Sequence, residues 1–361
     1  MSEILKINIV ATTSFEGGAE KYISELARLL RAQGKMITLL GDLPTWPEDL
    51  PQVSIGAGPK WSLRTLPLGL LRLPFELWRL KQVTPSTENG VFNLHFKREQ
   101  IAFSKYLSMR GRVVWTEHGR FPAGPFGFLI GPLYRRASQH ASAIVCVSPI
   151  VAKDISQRVS RPDLVQVIDT AVDLERFQPP SAAVRTLIRE SVGLDERPVV
   201  AYVGRIEEDK RPALAIRAGL AAGAQVVVAG TGSLIGPIVR EFEGLPDVTF
   251  LGQVPETSDV YAMADVHVFS SNGAGEGFPT VILESAASGV PTVAADDAGF
   301  SYAVEAAGGL SAAASEGAMA DAIGIVLKSV EARRVKARSW AESRDQDAWL
   351  RNYLDAFSPS I

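Results

Sequence analysis

Short apolar runs alternate with amphipathic stretches along nearly the whole chain. ILKINIVA, MITLLG, GVFNLHF, RVVWTEHG, AIVCVS and LVQVIDTAV are rich in Val and Ile and bounded by Gly, Asp or Ser, the pattern of buried strands. Between the first two lies YISELARLLRAQG, whose Tyr22, Ile23, Leu26, Leu29 and Leu30 fall on one helical face, with Gly34 as the stop. After a Pro-rich segment, RFQPPSAAVR, the cycle restarts with PVVAYVGR, AQVVVAGTG, DVTFLGQV, ADVHVFSS and VPTVAADD. Strands alternating with helices predict parallel sheets covered on both faces. The expected fold class is α/β, with two Rossmann-like doubly wound domains joined near residue 180. Ligands of such sheets bind beyond the carboxyl ends of the strands, so a cleft between the domains is the expected active site.

Two stretches fit this rhythm poorly. WSLRTLPLGLLRLPFELWRLK and FPAGPFGFLIGPLYRR are apolar but broken by Arg, Pro or Gly. Neither supplies the roughly 20 apolar residues that span a bilayer. The pattern favours a packed helix or a loop over a site, and peripheral membrane contact through aromatics with basic flanks is the alternative.

Composition narrows the class. A chain of 361 residues, 46% hydrophobic and 21% charged, is globular and long enough for two cores. A net charge of −3 offers nothing to nucleic acid, so no nucleic-acid partner is expected. Residues 1–175 nevertheless carry 21 Lys and Arg against 16 Asp and Glu, which leaves the remainder acidic. A basic first half suits an anionic or membrane-adjacent ligand there, and two ordinary solvated surfaces are the plain alternative. The single cysteine, Cys146, excludes an internal disulfide and fits a reducing compartment. MSEILKINIVATTS reads as a first strand rather than a signal peptide. The expected location is cytoplasmic, with the inner face of the membrane as the variant.

Candidate chemistry gathers at the strand ends. Gly17 and Gly18 follow the first strand at a turn into a helix, where bare backbone and free amides favour an anion. Arg205 and Lys210 follow PVVAYVG and could grip a diphosphate, or could simply pair with Glu207, Glu208 and Asp209. AGTGS at 229–233 is a second Gly-rich strand end. The segment 275–294, GEGFPTVILESAASGVPTVA, holds Glu276 on a Gly-flanked loop and Glu284 inside an apolar helix. Pro279 suits the first turn of that helix, which places Glu284 about 8 Å along its axis. This spacing fits a nucleotide sugar, with Glu284 on the ribose hydroxyls, the helix start on the diphosphate and Glu276 at the sugar.

With these residues in place the chain resembles the retaining glycosyltransferases of the GT-B fold, specifically family GT4. Its E-x7-E motif matches Glu276 to Glu284, and GGAEKYISELARLLRAQGK, TEHGR, VCVSPIVAKDI, AVDLERFQP, VGRIEEDKRP, VAGTGS and FLGQV recur in family order. The resemblance implies an acceptor domain over 1–178, a nucleotide-sugar donor domain over 179–340, and a C-terminal helix at 341–361 that crosses back to the N-terminal domain. It assigns Arg205 and Lys210 to the donor phosphates, Glu284 to the ribose, and Glu276 with the backbone of Gly277, Phe278, Pro279 and Thr280 to the transferred sugar. Gln253 and Val254 would meet the base, Gly17 and Gly18 the diphosphate, and His118 the sugar in a positioning role. Gly204 and Gly230 would line the same strand ends. Retention then follows from front-face attack by an acceptor hydroxyl, without metal or other cofactor. UDP is the prior for the donor, and the acceptor is a small molecule, a glycan or a lipid-linked sugar.

Departures from the family pattern limit the transfer. P-N-G-V-D is replaced by Asp169, Thr170, Ala171, Val172 and Asp173, and Arg211 follows Lys210 where glycine is common. Ala298, Gly299, Phe300, Ser301 and Tyr302 stand where G-G-x-x-E is usual. A D-x-D at Asp345 to Asp347 would suit a metal-dependent transferase, but it lies in a helical segment and reads as a solvated face. An NAD-dependent oxidoreductase would want GxGxxG after the first strand, which TTSFEGGAE does not supply. A nucleotide-sugar epimerase or hydrolase of the same architecture stays open.

Overall fold

The computed structural model describes residues 5–14, 17–58, 60–84 and 90–358. The chain forms two compact units, one of residues 1–170 with 347–361 and one of residues 171–346. The first parting lies eight residues before the expected 178, because Val172 and Phe177 already belong to the second unit's core.

The first unit holds a parallel seven-stranded sheet of order β3-β2-β1-β4-β5-β6-β7. Its strands are β1 (Lys6–Thr12), β2 (Met36–Asp42), β3 (Gln52–Val53), β4 (Gly90–Leu94), β5 (Arg112–Glu117), β6 (Ala143–Cys146) and β7 (Val165–Val167). Its helices begin with α1 (Gly18–Ala32), α2 (Leu66–Val83), α3 (Lys97–Leu107), α4 (Gly124–Ala137) and α5 (Pro149–Ser156). β1 pairs with both β2 and β4, Ile7 facing Ile37 on one side and Val91 on the other. Six of its seven residues are buried, as expected of a central strand covered on both faces. The order reverses between β1 and β4, so a ligand crevice belongs at their carboxyl ends.

The second unit repeats the plan with a six-stranded sheet of order β10-β9-β8-β11-β12-β13. Its elements are α6 (Ala182–Ser191), β8 (Val199–Val203), α7 (Pro212–Ala221), β9 (Gln225–Ala229), α8 (Ile235–Phe242), β10 (Val248–Gly252), α9 (Thr257–Met263), β11 (Val266–Phe269), α10 (Thr280–Ala287), β12 (Thr292–Ala295), α11 (Ser301–Ala306), β13 (Leu310–Ala312), α12 (Glu316–Leu327) and α13 (Val330–Glu342). The two-residue period of a strand divides the core. Val199, Ala201 and Val203 of β8 enter one cluster with Tyr261 and Leu283, while Val200 and Tyr202 enter the other with Val226 and Val268. Asp265 ties α6 and α13 to the start of β11, accepting from Arg189 at 2.7 Å, Arg334 at 2.8 Å, the Val199 amide at 2.8 Å, and Arg185.

The last helix, α14 (Gln346–Phe357), belongs to the first unit. The Tyr353 and Tyr22 hydroxyls lie 2.7 Å apart, the Trp349 indole donates to Tyr22 at 3.2 Å, and Arg112 donates to the Ala356 carbonyl. The returning segment therefore starts near 346 rather than 341, since α13 packs on α10 in the second unit. The D-x-D spans the start of α14, where Asp345 bridges Val172.

Candidate donor site and its counterpart in the first unit

In the second unit the order reverses between β8 and β11, and the candidate residues cluster at those strand ends. β8 runs out at Gly204, whose amide donates to the Ala229 carbonyl at 3.0 Å. A Cβ at Gly230 would stand 1.8 Å from the Gly204 carbonyl oxygen, so close strand packing alone requires that glycine. Its assignment to the donor is not needed to explain it.

Arg205 and Lys210 are brought to one place but into different states. Arg205 is 65% exposed and only 3.7 Å from Asp209, leaving its fork accessible. Lys210, 14% exposed, sits at the end of a short 3-10 turn and pairs with Glu276 and, at 3.2 Å, with Asp209. The cation assigned to phosphate and the carboxylate assigned to sugar thus hold one another across 66 residues of sequence.

Arg211 explains how a non-glycine residue fits after Lys210. It occupies the left-handed region at φ 49°, ψ 52°, a costly conformation for a long side chain. Its guanidinium offsets that cost by donating to the Ser270 carbonyl at 2.6 Å, the Ser271 carbonyl at 2.8 Å, and both oxygens of Asp297 at 2.6 and 2.8 Å. Ser270 returns a hydrogen bond to the Lys210 carbonyl at 2.7 Å. The backbone that carries Lys210 is therefore fastened to the ends of β11 and β12. Asp297 immediately precedes the stretch Ala298 to Tyr302 that departs from the family pattern.

The E-x7-E segment adopts the expected loop-to-helix form with one adjustment. Pro279 is the N-cap of α10 rather than its first residue, and no side chain caps the helix start. Lacking an N–H, Pro279 fixes backbone direction and cannot donate to a sugar. Phe278 is half-buried and turns its ring toward Phe300, with centroids 6.1 Å apart. Glu284 lies on α10 and accepts from the Tyr261 hydroxyl at 3.3 Å. Burial, and then the Glu284 charge, push the Tyr261 pKa well up and keep the phenol a donor. Tyr261 is thus the partner that a carboxylate in an apolar helix demands, and no motif announced it. Gln253 and Val254 follow β10, Gln253 exposed and Val254 packed on the core.

The first unit places Gly17, Gly18 and His118 beside its own switch point. Gly17 is the N-cap of α1, and a Cβ at Gly18 would meet no atom within 4 Å, so packing leaves that backbone open. His118 meets Tyr22 of α1 edge-on at 5.0 Å and its Nε2 lies 2.9 Å from Nδ1 of His95. Around it lie cations that the motifs missed. Lys60 pairs with Glu20 at 2.8 Å, and Lys97 with Glu117, which also accepts from the Tyr134 hydroxyl at 2.6 Å.

Burial, then Lys97 and Lys60, lower the His118 pKa to about 3, and burial alone does the same to His267 in β11. An imidazole this weakly basic, engaged with His95, is a poor proton acceptor at neutral pH. The linkage sign follows. Between about pH 3 and 6.5 the unfolded chain binds these protons and the folded chain does not, so their stabilisation is complete above 6.5 and is lost as pH falls. Burial and His118 lower the His95 pKa in the same direction, and the three imidazoles together are expected to remove about 4 kcal/mol as pH falls from about 7.5 to 5.5, about 1.36 kcal/mol each for the unit below 6.5. Urea unfolding at the two pH values measures it, and equal stabilities would show the imidazoles are not held neutral.

The profile "Glycosyltransferase Family 4" matches residues 16–176, and "Glycosyl transferases group 1" matches residues 197–329, one in each unit. The chain belongs to glycosyltransferase family 4. Among curated relatives, the D-inositol 3-phosphate glycosyltransferase of Salinispora tropica is 28% identical over 97% of this chain and 82% of its own. The sulfoquinovosyl transferase SQD2 of Arabidopsis thaliana is 30% identical over 54% of this chain and 39% of its own. The crystal structure of Anabaena Alr3699/HepE in complex with UDP superposes with a TM-score of 0.81 at 18% identity, covering 97% of this chain and 98% of that one. The fold is GT-B, and the protein is a glycosyltransferase.

Proposed function

We propose that this glycosyltransferase moves a hexosyl group from a UDP-sugar to an acceptor hydroxyl with retention of configuration and without a metal ion. The observation that carries the reading is the convergence of Arg205, Lys210 and Glu276 at the carboxyl ends of β8 and β11, with the uncapped start of α10 beside Glu276. Breaking the anomeric bond builds positive charge on the sugar and negative charge on the departing diphosphate. Arg205 and Lys210 would stabilise the leaving group, a role a divalent ion fills elsewhere, and preorganised charge of this kind is usually the largest catalytic term. Glu284 would accept the ribose hydroxyls and Glu276 would meet the sugar once Lys210 turns to phosphate. The acceptor, a small molecule, glycan or lipid-linked sugar, is assigned to the first unit, where the Gly17–Gly18 turn and His118 stand. Support for uridine comes from Alr3699/HepE, solved with UDP and with UDP-glucose.

Calorimetric titration of UDP, GDP, ADP and NAD, with EDTA present, tests the reading. UDP is expected to bind, and Arg205→Ala to weaken it by about 2 kcal/mol, as for a hydrogen bond to a charged group. Binding of NAD alone, or of UDP only when metal is restored, would overturn it. Sugar release to water in place of transfer would point to a hydrolase.

A further inference from the structure

Helices α2 and α4 of the first unit face the wrong way for packed helices. In α2, Leu68, Leu71, Phe75 and Trp78 recur at helical spacing as one stripe, and they are 52%, 79%, 52% and 53% exposed. The opposite face buries Leu66, Gly69, Leu80 and a carboxylate, Glu76, which accepts from the Gly58 amide at 2.8 Å. In α4, Phe128 is 88% exposed and Leu129 and Leu133 accompany it, while Ile130 and Tyr134 face inward. α3 packs against both helices. Right-handed crossovers from β3 to β4, β4 to β5 and β5 to β6 place α2, α3 and α4 on one face of the sheet.

Charge selects the occupant of this face. Arg72, Arg79 and Lys81 of α2 and Arg135 and Arg136 of α4 are exposed, and the sole acid in the two helices is the buried Glu76. Among the described residues of these two helices the outward surface is apolar and basic, with no exposed carboxylate. A second copy docking isologously would press these cations against one another. An anionic lipid surface instead takes the aromatic and aliphatic side chains below its headgroups and the cations among them. No described helix is long and apolar enough to cross a membrane. We propose that α2 and α4 dock this protein onto the surface of an anionic bilayer, lying on it rather than through it.

The test uses the full chain and vesicles of phosphatidylcholine with and without phosphatidylglycerol. Co-sedimentation is expected with the anionic vesicles only and is expected to weaken as salt screens the cations. The pair Leu71→Glu with Phe75→Glu, both on the exposed stripe, is expected to reduce binding by about tenfold or more. Unchanged UDP affinity in that variant certifies its fold and keeps this test separate from the donor assignment. Binding indifferent to the anionic lipid, or undiminished in the variant, would overturn the proposal. So would a dimer in light scattering that the same substitutions dissolve.

Discussion

Replacing Lys210 by Ala is expected to lower kcat by about a hundred- to a thousand-fold, the cost of removing one preorganised group from a developing anion. The expectation rests on how the residue is held. Its turn is tied to β11 by Ser270, to the loop after it by the Asn272 amide donating to the Asp209 carbonyl at 3.0 Å, and to β12 through Arg211 and Asp297. With the backbone of its turn fixed this firmly, Lys210 meets a phosphate by exchanging Glu276 for it through side-chain rotation alone, so its effect should fall on kcat more than on donor affinity. The Lys210–Glu276 pair could instead be structural, and the double variant separates the two cases. If the pair only fastens loop to loop, Lys210→Ala strands Glu276, and adding Glu276→Gln recovers much of the loss. If each group acts on the reaction, the double variant is no better than the worse single. The second outcome is expected, and steady-state kinetics of all four proteins measure it. Recovery to within about threefold would return both residues to a fastening role.

The parts that were legible in the sequence are those whose physics is local. Alternating Val-rich strands and one-sided helices disclosed both sheets, and Glu284 stood out because a carboxylate beside Leu283 needs a partner. The partner itself was not legible, since Tyr261 lies on α9, 23 residues upstream, and only packing joins the two. Likewise Lys210 and Glu276 were each assigned a ligand, whereas the fold gives them each other. β3 and β13 escaped notice because edge strands of two and three residues show no periodicity. LVQVIDTAV looked like a full strand, yet only Val165–Val167 join the sheet, and Val172 makes an isolated bridge to Asp345. Most instructive is α2, where spacing reveals an apolar stripe but not its direction. The expectation of a packed helix holds for one face only, since Leu66 and Leu80 pack inward beside Glu76 while Leu68, Leu71, Phe75 and Trp78 face outward. Arg211 was seen only as a departure from glycine, and its backbone angle supplies the reason glycine is usual there.

Glu284→Ala is expected to abolish the distinction between UDP and its 2′-deoxy analogue. On the proposed assignment the carboxylate, which accepts from Tyr261, would also accept from the ribose diol, so loss of one hydroxyl should cost about 1.5–3 kcal/mol. Without the carboxylate the two nucleotides should bind alike, each roughly 2 kcal/mol or more weaker than UDP binds the wild type. Tyr261→Phe gives the necessary contrast. It removes one donor from Glu284 while the aromatic ring keeps its place among Phe177 and His267. Affinity should then change by about tenfold at most, and the preference for the ribonucleotide should persist. Titration of both nucleotides into the three proteins decides the matter. A Glu284→Ala protein that still prefers UDP over the deoxy analogue would remove Glu284 from the ribose, leaving its bond to Tyr261 as a structural contact between α9 and α10.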